Sequence, residues 1–158
     1  MMLRSAFNAF VRALPASTVE AHCDGPCGVY DPASARVAAE AVLSMTKKLK
    51  ALEAPDAGDA ATLAAYNNTF GRFVAIKEEE AQKTKKELLI LWTDYFKPDH
   101  LATFPDLHDT FWKATKLCSA CKVHIDQGKA EELMSTVEKI HGMFWRSKGR
   151  DEVWVTAS

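Results

Sequence analysis

The chain has 158 residues, room for one compact domain with a real core and too little for two. Its 47% hydrophobic and 26% charged content excludes a disordered chain, a collagen-like repeat and a disulfide-dense mini-protein. A formal net charge of -1 argues against a strongly basic nucleic-acid binder, and no apolar run reaches the roughly 18 residues of a membrane-spanning helix.

Residues 1–21, MMLRSAFNAFVRALPASTVEA, stand apart. Arg4, Arg12 and Glu20 are their only charges, and the stretch ends in small and polar residues. An Arg-containing, acid-poor targeting peptide, a cleaved pro-segment and an ordinary first helix over Leu3 to Leu14 all fit this pattern. A secretory signal fits poorly, because Arg12 splits the apolar run. With only two basic residues in a short leader, the expected compartment is the cytoplasm, with organellar import the other reading.

Residues 22–32, HCDGPCGVYDP, hold two Gly, two Pro and two Asp, so they form a tight loop. A helix is predicted from Asp31, as N-cap, and Pro32, in the first position, to near Glu53. Val37, Ala41, Val42, Met45, Leu49 and Leu52 recur on it at three- and four-residue spacing. A second helix is predicted from Asp59 to Tyr95. Its charged middle, KEEEAQKTKKE, reads as a solvated face with pairs such as Glu79–Lys83.

Lys97-Pro98-Asp99 breaks the pattern. Phe104-Pro105-Asp106 opens a third helix, with Leu107, Phe111, Ala114, Leu117, Cys118 and Cys121 along one face. Asp126-Gln127-Gly128 reads as a turn, and a fourth helix runs from Lys129 to about Arg146. Residues 147–158 form a polar tail apart from Val153, Trp154 and Val155. No strand alternation is convincing. The fold class expected is all-α: an up-and-down four-helix bundle with short connections.

The four cysteines form two pairs, Cys23 with Cys27 and Cys118 with Cys121. His22, Cys23 and Cys27 offer thiolate and imidazole donors, the kind that late first-row metals select. Structural zinc needs four side-chain ligands and one short loop offers three, so a zinc site would have to borrow Cys118 and Cys121 from a helix face. A chain cut before His22 would add an α-amine, and the amide nitrogen of Cys23 is adjacent. Amine, amide nitrogen and two thiolates make a planar set that points to Ni(II) or Cu(II). Cys118-x-x-Cys121 lacks the βαβ context of thioredoxin chemistry and reads as buried thiols. His100, His108, His124 and His141 read as surface or satisfied polar residues. Trp92, Trp112 and Trp145 read as core or interface, and Trp154 lies in the tail.

The run HCDGPCGVYDP closely resembles the nickel-binding hook of the nickel-containing superoxide dismutases, and LWTDYFKPDH (91–100) and MFW (143–145) extend the resemblance over about 22–147. It implies a precursor with a leader over 1–21 and a mature domain over 22–158, freed by a maturation protease that cuts before His22. It also implies a homohexamer with one nickel ion per subunit, converting superoxide to dioxygen and hydrogen peroxide by Ni(II)/Ni(III) cycling. The implied metal ligands are His22, Cys23 and Cys27, with the His22 imidazole axial. Pro26 is expected to follow a cis bond. Tyr30 is expected to line the open side of the metal, Asp24 to hold the loop, and Tyr95 and Lys97 to lie at the approach. Ala38 and Glu80 stand where better-known members carry a glutamate and an arginine that brace the histidine, so His22 is held differently, in one reading by Glu80. The other function that the same loop allows is a nickel or copper carrier without turnover.

Overall fold

The computed structural model describes residues 28–55 and 59–157. The leader, His22, Cys23, Asp24, Pro26 and Cys27 lie outside these residues.

Helix α1 spans Ala33–Ala51. Asp31 Oδ1 accepts the N–H of Ala33 at 2.7 Å, satisfying one of the donors a helix start leaves open. Lys48 and Lys50 in the last turn favour the negative end of the helix dipole. The buried face is Ala35, Ala38, Ala39, Val42, Thr46 and Leu49, while Val37 is 50% exposed. The expected stripe is thus rotated. Alanine carries little hydropathy, but its small volume lets two helix backbones approach closely.

Helix α2, Ala60–Ile90, starts at Asp59, whose carboxylate accepts the N–H groups of Ala61 and Thr62. Its 31 residues rise about 46 Å, against 19 residues in α1. Only Lys77, Ala81, Thr84 and Leu88 of α2 are buried. The first half overhangs the bundle, leaving Leu63 and Ile76 exposed and Tyr66 stacked on Phe70.

The charged middle of α2 is not wholly a solvated face. Lys77 is 1% exposed, and its ammonium donates to the backbone oxygens of Cys121, Lys122 and His124. It thereby caps the C-terminus of a neighbouring helix with positive charge. Lys83 pairs with Glu80, at 3.9 Å, in place of the expected Glu79.

The α-helical ladder ends at Ile90, short of the expected Tyr95. Leu91–Tyr95 form one π-helical turn, closed by the Phe96 N–H on Leu91 O at 3.1 Å. A 3₁₀ turn over Pro98–Ala102 follows. Helix α3 spans Leu107–Val123 and helix α4 Gln127–Ser147. The expected turn at Asp126-Gln127-Gly128 is shorter than the composition suggests. Asp126 Oδ1 accepts the N–H of Lys129 at 3.1 Å, so Gln127 and Gly128 belong to the first turn of α4.

α1 packs on α2 and α4, and α3 on the same two helices, which is the four-membered ring of an up-and-down bundle. Leu88, Leu107, Phe111, Leu133, Ile140 and Phe144 are fully buried at its centre. The tail folds back along the bundle: Trp154 packs on the core, and the N–H of Ala157 donates to Glu40 Oε1 at 2.7 Å. No helix of the described residues is long and apolar enough to cross a membrane.

Candidate metal centre and its approach

Gly28, the residue after Cys27, has φ +64°, a left-handed conformation that glycine adopts without strain. The chain turns there and leads Val29 and Tyr30 onto the end of the bundle. Tyr30 meets Tyr95, with ring centroids 5.4 Å apart. Residues far apart in sequence therefore become neighbours: the loop beside Cys27, and the end of the π turn. The wider π turn sets the direction of Tyr95, and such turns recur at functional sites.

Tyr95 is held from several sides. Phe144 lies 4.6 Å from it, Phe96 5.0 Å, and His100 stacks at 5.9 Å with a 20° interplanar angle. Its hydroxyl lies 2.6 Å from Ser147 Oγ, which in turn donates to Phe144 O. His100 Nδ1 accepts the N–H of Lys97 at 3.1 Å, fixing the start of the 3₁₀ turn and leaving the Lys97 side chain exposed. Of the sequence candidates, Tyr30, Tyr95 and the Lys97 backbone are thus drawn to one end of the bundle.

A crevice of about 190 Å³ adjoins Tyr30, lined also by Asp31, Ser34, Glu87, Ile90 and Leu91. Glu87 is therefore a carboxylate of α2 that lines the crevice beside Tyr30. Its position within a charge run gave no signal of this. Ala38 is fully buried, and Glu80 stands by Lys83. Ser147 gave no signal either, because it opens a stretch whose composition reads as a polar tail.

The second cysteine pair has a different character. Cys118 and Cys121 are free and buried in α3. Burial pushes the Cys118 thiol up to about 12 and that of Cys121 upward as well. Burial thus keeps both thiols protonated in the fold. Among the described residues, no group of three or more His, Cys, Asp or Glu side chains could hold a metal ion. His108 accepts from Trp92 Nε1 at 2.8 Å and His141 meets Glu152 O at 3.1 Å, as expected of satisfied polar residues.

A model of the family described as nickel-containing superoxide dismutase matches residues 17–148. The nickel superoxide dismutases of Streptomyces seoulensis and Streptomyces coelicolor are each 37% identical over 134 residues, 85% of this chain and 93% of theirs. A crystal structure of a nickel-containing superoxide dismutase in the oxidised state superposes with TM-score 0.67 at 36% identity, covering 81% of this chain and 99% of that one. The metal-free structure of such an enzyme gives TM-score 0.63 at 32% identity, covering 77% and 98%. The chain belongs to the nickel-containing superoxide dismutases: it is an enzyme of superoxide dismutation, and its cofactor is nickel.

Proposed function

We propose that the nickel is held by His22, Cys23 and Cys27 in a hook that rests on the Tyr30–Tyr95 ring pair, and that superoxide reaches it from the side of Lys97. The observation that carries this reading is the 5.4 Å contact between Tyr30 and Tyr95, which joins the residues just after Cys27 to the helix connection. The donor set fits the metal: two thiolates, an amine and an amide nitrogen would hold nickel, and their electron donation would favour its higher oxidation state. Nickel so bound supplies the one-electron exchange of the reaction, in which two superoxide anions and two protons become dioxygen and hydrogen peroxide.

The chain's own residues supply the rest. The Tyr30 phenol offers one donor and an acceptor toward a small oxygen species beside it. The Tyr95 ring supports Tyr30, and the Ser147 contact fixes the Tyr95 hydroxyl. In this reading Asp24 helps to hold the loop. Lys97 brings positive charge to the approach of an anion on a chain whose net charge is -1.

The reading extends to maturation and assembly. Residues 1–21 are a pro-segment, and a protease cutting before His22 frees its amine. The mature domain, 22–158, assembles as a homohexamer in the cytoplasm. Family likeness and the apolar overhang of α2 support self-association.

The deciding experiment adds one alanine before His22 in the mature protein. Every side chain is kept, and only the α-amine moves. Activity should fall by orders of magnitude, and the full-length chain should bind nickel weakly. An extended protein with unchanged nickel content, spectrum and turnover would show that the amine is not a ligand.

A further inference from the structure

The last turn of α4 comes to the same end of the bundle as the Tyr30–Tyr95 pair. Lys148, the residue that ends this helix, places its ammonium 5.2 Å from the Tyr95 ring centroid and 5.1 Å from that of Phe144. Its N–H is tied to the oxygens of Trp145 and Arg146, so its backbone is fixed. The side chain is exposed, and among the described residues it makes no ion pair. The charge is therefore unneutralised and held against the ring that touches Tyr30. Asp31 and Glu87 line the crevice beside Tyr30, and their charge opposes an incoming anion.

We infer that Lys148 is a steering residue for superoxide, a second cation beside Lys97 that offsets Asp31 and Glu87 at the mouth of the site. The inference rests on the proposed position of the hook. A substrate this small and charged is recognised at a distance by potential, since it offers little surface for shape recognition. The ammonium lies 5.2 Å from the Tyr95 ring centroid, itself 5.4 Å from that of Tyr30, a reach comparable to the roughly 10 Å over which salt at about 0.1 M screens an exposed charge. Steering by Lys148 must therefore depend strongly on ionic strength.

The test measures kcat/KM of the nickel-loaded protein starting at His22 across a range of ionic strength. The variants are Lys148→Gln, Lys148→Arg, Lys97→Gln and Lys129→Gln. Lys129 is a control in the first turn of α4, about 28 Å along the helix from Lys148. Lys148→Gln should lower kcat/KM about two- to fivefold at low salt, and the deficit should close as salt rises. Lys148→Arg should retain the rate, Lys129→Gln should match the parent, and nickel content should be unchanged throughout. A Lys148→Gln deficit that persists undiminished at high salt would mean a misplaced Tyr95, and would overturn the inference, as would a loss of nickel. If Lys97→Gln flattens the salt dependence and Lys148→Gln does not, only the assignment of Lys148 falls. If neither changes the salt dependence, the approach lies elsewhere and the position of the hook falls with it.

Discussion

Cys118 is a thiol that the fold keeps neutral. Burial raises it from the ordinary 9.0 to about 12, and Cys121 beside it adds to the cost of ionisation. Between those values the unfolded chain loses the proton and the native one keeps it. Stability is therefore present in full below about pH 9 and falls as pH rises, by up to about 1.4 kcal/mol per pH unit from this group. Urea unfolding at about pH 8.5 and about pH 10.5 should show that decline, and Cys118→Ala should flatten it. The hook cysteines should behave in the opposite way. Cys23→Ser or Cys27→Ser should abolish dismutation and leave the bundle folded, because a hydroxyl is a poor donor for nickel. Cys118→Ala with Cys121→Ala should keep stoichiometric nickel and cost on the order of 1–3 kcal/mol of packing. Metal analysis and circular dichroism of the two sets check both statements. The sequence already separated these pairs by their surroundings, loop against helix face. It gave no hint of Ser147 or Glu87, since a serine in a polar tail and a glutamate in a charge run look alike whether they face a site or water.

Among the elements, helix existence followed from periodicity, and the boundaries moved where local chemistry outweighs hydropathy. Alanines hid the buried face of α1. The π turn was invisible, because one extra residue per turn leaves no mark on composition. Lys77 was hidden by its own charge, for a lysine in KEEEAQKTKKE reads as solvated. Its burial depends on the three helix-end oxygens that α3 presents to it. Desolvation lowers the proton affinity of Lys77, so those bonds must offset the cost of keeping the charge inside. Lys77→Met keeps the packing of the stem and removes the donor. It should destabilise the protein by about 1–3 kcal/mol, since the backbone oxygen of the buried Cys121 is left unmet. Chemical denaturation measures the loss, and amide exchange should localise it to residues 119–123. An unchanged midpoint would show that water replaces the ammonium freely.

At the scale of the whole molecule, the bundle has one end where distant segments meet and one helix too long for its neighbours. That end gathers the first described residues, the helix connection and the last turn of α4. That convergence could be reached from the sequence only through the family motif, because no spacing rule links Tyr30 to Tyr95 or Tyr95 to Ser147. The length mismatch has its own consequence. The first half of α2 carries Leu63, Tyr66, Phe70 and Phe73, and among the described residues it is mostly exposed. Adhesion between such faces is entropic near room temperature and strengthens on warming. Free subunits should therefore cloud on gentle heating, at temperatures where circular dichroism still reports full helix, and clear again on cooling. Replacing Leu63 and Tyr66 with glutamate should raise the cloud point without moving the unfolding midpoint. The overhang thus gives the free subunit a solubility limit set by temperature and concentration, separate from the stability of its fold.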